Sequence, residues 1–208
     1  MSPSLITYLN AYHAFNNKTF KSLFCLFIGV FIFSTIDPHS WAVWVAEIIP
    51  VLIGILCIIL ISRHFSFSRT AYALMFVWLL MHTIGAKYTF AEVPFDWFNH
   101  LIGSERNQYD RVAHYSIGFY AYPIAEFLFR KCDSGKTIAT LFGLFAIMSL
   151  AAGYEIIEWW YAELAGGEEG IAFLGSQGDI WDAQKDMLCD TLGAITSLLL
   201  FHYQNRRP

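Results

Sequence analysis

The chain has 208 residues, of which 56% are hydrophobic and 14% charged, and its mean hydropathy is +0.46. That balance excludes an ordinary soluble domain and points to an all-α, polytopic membrane protein forming a single domain over residues 1–208. A net charge of −4 offers no basic surface for nucleic acid. Cys25, Cys57, Cys132 and Cys189 are scattered without C-x-x-C spacing, so they read as free thiols.

The N-terminus has no basic region followed by a short apolar stretch and a small-residue cleavage site. It is therefore expected to be retained, with the first apolar segment as an anchor. A helix needs roughly 20 mainly apolar residues to cross the hydrocarbon core. Six segments qualify, at about 19–36, 41–62, 70–90, 111–130, 137–161 and 187–204. Pro38 marks the first turn, and Arg63 to Arg69 form the second. Residues 91–110 and 162–186 make two longer connections. Trp41, Trp44, Trp97, Trp159, Trp160 and Trp181 fall near the expected interfaces, as an aromatic belt requires.

Basic residues orient this six-transmembrane-helix bundle. Lys18, Lys21, Arg63, Arg69, Arg130, Lys131, Lys136, Arg206 and Arg207 fall on one side; only Lys87, Arg106, Arg111 and Lys185 fall on the other. The bias places both termini in the cytoplasm. Acidic residues segregate the opposite way, since only Glu126 and Asp133 belong to the cytoplasmic half.

Polar residues cluster at the outer helix ends. His82 and Lys87 lie in the third segment, and Asp96 and His100 in the connection that follows. Asp110, Arg111, His114 and Tyr115 open the fourth segment, and Glu155 and Glu158 end the fifth. Asp182, Asp186 and Asp190 step into the sixth at intervals of four, hence on one helical face. Asp179 precedes them as the expected cap region. Carboxylates in a membrane helix are expensive unless satisfied. The pattern therefore predicts a His/Asp/Glu site between the third and sixth helices. His82, His114, Glu155, Glu158, Asp186 and Asp190 are candidate metal ligands; Asp110, His114 and Glu158 are candidate acid–base groups. Lys87 and Arg111 are candidates for anion binding. Hard oxygen donors with a few imidazoles suit Mg, Mn, Ca, Fe or Zn. The Gly175–Gly178 stretch gives the fifth connection freedom to dip toward the site.

Other roles stay open for each residue. His82 also fits a packing histidine, Asp110 with His114 a helix start, and Glu155 with Glu158 a pair of salt bridges to Lys87 or Arg111. Glu47 fits either a site partner or a snorkelling carboxylate. Glu168 and Glu169 read as a solvated loop.

Five stretches carry a resemblance: His82-Thr-Ile-Gly-Ala-Lys-Tyr88, Asp96-Trp-Phe-Asn-His100, Asp110-Arg-Val-Ala-His-Tyr115, Glu155-Ile-Ile-Glu158 and Gly178-Asp-Ile-Trp-Asp-Ala-Gln-Lys-Asp-Met187. Together they resemble the YjdF-like bacterial inner-membrane family, across nearly the whole chain. The resemblance implies a multi-pass protein of the inner membrane and no particular activity. Asp110-Arg-x-x-His114-Tyr115 and Asp186-x-x-x-Asp190-x-x-Gly193 are also similar, more faintly, to motifs of the VanZ-like family. Asp190 departs from that pattern by replacing a neutral amide with a charge.

The function expected from these residues is a metal-dependent membrane enzyme acting on a lipid or envelope precursor at the periplasmic face. The alternatives are a proton- or cation-coupled transporter, or a non-catalytic scaffold whose charges pair internally.

Overall fold

The computed structural model describes residues 17–206. The N-terminal start, Arg207 and the C-terminal Pro208 lie outside the described residues. Within them the chain is all-helical: α1 (Lys18–Ser34), α2 (Trp41–Ser62), α3 (Arg69–Tyr88), α4 (Asp96–Ile102), α5 (Tyr109–Ile117), a 3-10 turn (Gly118–Tyr120), α6 (Ala121–Lys131), α7 (Lys136–Ala165), α8 (Gly167–Leu174) and α9 (Asp182–Gln204).

Each of the first three helices starts at a side-chain cap. Asn17 accepts from the Thr19 and Phe20 N–H groups, Ser40 from Val43, and Ser68 from Ala71. Such caps satisfy amides that have no partner inside the helix. Two differences from the sequence reading follow from local chemistry. The fourth segment is not one continuous α-helix but α5 and α6 joined through the 3-10 turn. Pro123 has no N–H to offer the carbonyl of Phe119, which weakens the α-helical ladder there. The two long connections contain α4 and α8, each ended by a glycine with positive φ, Gly103 and Gly175.

Among the described residues two helices, α2 and α7, are long and apolar enough to cross a membrane, with mean hydropathy of 2.7 and 1.7 over their most apolar stretches. Most of their surface is not covered by protein. Leu52, Ile53 and Leu56 on α2, and Phe142 and Phe145 on α7, all project outward. Contiguous apolar surface of this kind needs an apolar surrounding.

The interior is built from α1 on α3, with Phe20 edge-on to Tyr72 and Phe76 at 5.3 and 5.7 Å, and from α9 on α5, α6 and α7. The α5–α9 crossing is the closest. A Cβ on Gly193 would lie 1.9 Å from the Tyr115 carbonyl oxygen, and one on Gly118 2.3 Å from that of Asp190. Only glycine permits this backbone approach, and it sets the spacing of every side chain one turn further out. On the opposite side of the fold, Glu126 accepts from the Ser68 N–H and hydroxyl and is ion-paired with Arg130. That buried carboxylate is fully used in tying α6 to the start of α3.

Candidate functional site

Helix α9 begins at Asp182, so Asp182, Asp186 and Asp190 do share one face, and all three are buried. Against them α5 presents Asp110, Arg111 and His114. The result is two layers of charge at one end of the molecule.

The outer layer is ion-paired. Asp182 Oδ1 lies 2.7 Å from Arg106 Nη2 and 2.5 Å from Arg111 Nη2. Asp179 lies 3.4 Å from Arg111, 3.7 Å from Arg106 and 2.6 Å from the Lys185 ammonium. The Lys185 bond, with a further one from the Trp181 N–H, holds the Asp179 carboxyl below the usual carboxylate range. Arg106 also donates to the carbonyl of Ser176 at 2.6 Å and to that of Gly175 at 3.4 Å. The Gly175–Gly178 stretch thus does fold in over the site, and its φ values of 64° and 83° need glycine.

The inner layer is arranged differently. His114 Nδ1 stands 3.2 Å from Asp190 Oδ1. Its other nitrogen, Nε2, faces Asp110 Oδ1 at 3.6 Å and Asp186 Oδ1 at 3.9 Å. Both distances exceed a hydrogen bond. Ligand atoms of Asp110, His114 and Asp186 all fall within 4.8 Å of one another. Asp186 also contacts Arg111, which links the two layers. Beside this group, Glu155 has a buried oxygen with no hydrogen-bond partner. Glu158 is 8% exposed and lines the adjoining cavity; among the described residues it has no hydrogen-bond or ion-pair partner. A buried carboxylate left this way costs free energy that a ligand or proton would recover.

The remaining candidates stand elsewhere. His82 Nε2 lies 3.0 Å from both the carbonyl and the carboxylate oxygen of Glu47, which in turn accepts from the Tyr154 hydroxyl at 2.7 Å. That triad joins α2, α3 and α7 and, among the described residues, touches the Asp110–His114–Asp186 group only through the Tyr154 ring, edge-on to His114 at 6.5 Å. Lys87 is not at the site. It donates to the carbonyls of Ile36 and Asp37 and rests over the Phe33 and Tyr88 rings, clamping the α1–α2 turn. Arg111 is at the site, but aspartates occupy it. Glu155 and Glu158 make no ion pair with either cation. Arg106, which the spacing of charges put outside the site, is one of its central partners. Its signal was local: it lies four residues before Asp110, a spacing that would bring the two together on a helix.

A cavity of about 890 Å³ opens beside the inner layer. Asp110, His114, Glu158 and Asp190 line one end, with the Glu47–His82–Tyr154 triad next to them. Mainly apolar residues of α2 and α7 line the rest, with Trp78, Phe90, Ile117, Tyr120 and Phe173.

Comparison with known proteins is consistent with the apolar exterior. A family model described as "Predicted membrane protein (DUF2238)" matches residues 20–207. "Inner membrane protein YjdF" of Escherichia coli (strain K12) is 33% identical over 184 residues, covering 86% of this chain and 88% of that protein. No solved structure matches.

Proposed function

This chain belongs to the DUF2238 family of predicted membrane proteins, and on that premise we propose that it is a divalent-metal-dependent enzyme of the bacterial inner membrane. It acts on a lipid or envelope precursor at the periplasmic face. The bundle crosses the membrane six times, through α1, α2, α3, the α5–α6 pair, α7 and α9, with both termini cytoplasmic. The nine-to-four distribution of basic residues and the outward apolar faces of α2 and α7 support this arrangement. Helices α4 and α8 then lie in the periplasmic connections.

One observation carries the metal reading. His114 Nε2, Asp110 and Asp186 converge without bonding one another, at separations that metal–ligand bonds of about 2.0–2.6 Å can span. Asp190 sits on the other ring nitrogen of His114. A carboxylate accepting from Nδ1–H fixes the tautomer and aims Nε2 at the ion. Asp190 thereby becomes a positioning residue, and Asp110, His114 and Asp186 the ligands. A bound Mg, Mn, Ca, Fe or Zn ion would supply charge neutralisation and polarisation of a substrate oxygen. Glu158, buried and unpaired on the cavity wall, is placed to accept a proton, with Glu155 behind it. Arg106 and Arg111 hold α5, α9 and the Gly175–Gly178 loop in register; they are not free to bind an anion.

The ion pairing of the outer layer favours a second reading, a scaffold whose charges only lock helices together. A transporter is less well supported, because Glu126 is bound by Ser68 and Arg130 and leaves no polar line toward the cytoplasm. Elemental analysis of protein purified without chelator separates enzyme from scaffold. About one divalent ion per chain, absent from Asp186→Asn, is expected; no metal in the wild type would leave the scaffold.

A further inference from the structure

Helices α2 and α7 stand apart across the cavity, and its walls change character along their length. Glu47, His114 and Glu158 line its outer part, where Val45 of α2 and Ile157 of α7 form the rim; further in the lining is apolar, with Ile49 and Ile53 of α2 and Leu150 of α7. These five are each more than half exposed, so the slot opens sideways on the apolar exterior. Its polar end coincides with the start of α2 and the end of α7, which the proposed topology puts at the periplasmic interface.

The dimensions restrict what fits. From Ala42 to Gly54 the slot follows α2 for twelve residues, which is about 18 Å at 1.5 Å per residue. That is close to one leaflet of hydrocarbon, about half of a 30 Å core. An extended hydrocarbon tail runs the length of such a slot and meets apolar side chains along its open side; the competing occupant, a helix of a second copy, is separated by the crosslinking below. Gly54 closes the inner end, where Trp78 stands 3.2 Å from the position of an added Cβ.

We propose that this slot holds the hydrocarbon tail of an outer-leaflet lipid, entering sideways between α2 and α7, with the lipid's polar head at His114 and Glu158. This rests on the membrane reading above but not on the metal. The Glu47–His82–Tyr154 triad lies along the path just below the head, where it receives polar groups near the tail's origin.

The test uses full-length protein in phosphatidylcholine vesicles doped with phosphatidylglycerol bearing a photoreactive diazirine on its acyl chain. Labelled residues are mapped by mass spectrometry. Saturable labelling of Ile49, Ile53 and Leu150 at low probe fraction is expected, against labelling of the exposed Leu199 on α9 that rises in proportion to the probe. Ala46→Trp and Leu150→Trp fill the slot and should cut labelling at Ile49 and Ile53 about tenfold, the loss expected from displacing one or two methylene groups. Leu150 is exposed, so its indole need not enter the core, and an unchanged melting temperature verifies folding. Slot labelling no stronger than at Leu199, or unaffected by both tryptophans, overturns the proposal. So does disulfide crosslinking that joins two copies of an Ile53→Cys variant on oxidation. Chelated protein should label the slot as before, so a missing metal and an empty slot give different results.

Discussion

His114 Nδ1 lies 3.2 Å from Asp190 Oδ1, across the α5–α9 crossing and 76 residues later in the chain. The contact exists because Gly118 and Gly193 allow the two backbones to touch one turn further in.

Gly193→Ala tests that dependence. A methyl 1.9 Å from the Tyr115 carbonyl cannot be relieved by side-chain rotation, so the helices must separate. Overpacking against backbone predicts a loss of about 1–3 kcal/mol or more, measured by thermal or denaturant unfolding in detergent. Gly153→Ala, where nothing lies within 4 Å of the added Cβ, should be near neutral.

The two arginines should matter far more than the lysine beside them. Arg111→Met leaves Asp186 without its cation inside the bundle, and breaking a buried pair this way costs about 3–5 kcal/mol. Lys185→Gln removes a half-exposed partner of Asp179 and should change stability by no more than about 0.5 kcal/mol. Comparable losses in the two variants would mean that the outer layer is not buried.

These contrasts mark what was legible in the sequence. The Asp182, Asp186 and Asp190 face could be read because a spacing of four residues has one meaning on a helix. Five of the six apolar segments correspond to single helices, because long apolar runs need no tertiary information, while the fourth is broken at the 3-10 turn and the last helix starts earlier, at Asp182. The destination of Lys87 could not be read. A cation at a helix end can reach for carbonyls or carboxylates, and the carbonyls of Ile36 and Asp37 took it. For Arg106 the four-residue spacing to Asp110 was legible, but its contacts with Gly175, Ser176, Asp179 and Asp182 appear only in the folded α8–α9 turn. Glu47 and Tyr154 meet across two helices 107 residues apart in sequence, a pairing that no local pattern encodes.

At Asp179 acid should loosen the outer layer only at the lowest pH. Its carboxyl is held below the ordinary value, so its contribution is present above about pH 3.9, the ordinary Asp value, and is lost as pH falls through the lowered one. Asp179→Asn should therefore flatten the lowest part of a stability–pH curve and leave the neutral range unchanged. An effect centred near pH 6 would assign that region to other groups.

Topology follows from the basic residues. Reporter fusions after Arg69 and after Lys136 should be cytoplasmic, and fusions within 91–109 and 162–181 periplasmic. A cytoplasmic signal from 162–181 would put the carboxylate layers on the wrong face for an envelope substrate.

The central claim is that Asp110, His114 and Asp186 hold a divalent ion. Binding only to the folded arrangement must raise stability, by RT ln(1 + [L]/Kd), or about 2.7 kcal/mol at a hundredfold excess over Kd. The direct measurement is the melting temperature of chelator-treated protein titrated with Mg, Mn, Ca and Zn. At least one ion should raise it in the wild type and in Glu169→Gln, whose carboxylate lies in the first turn of α8 away from the site. Asp110→Asn and Asp186→Asn should lose most of the shift, and Asp190→Asn should weaken it by leaving His114 unaimed. No shift with any ion in the wild type would contradict the metal site and leave a bundle locked by its own charges.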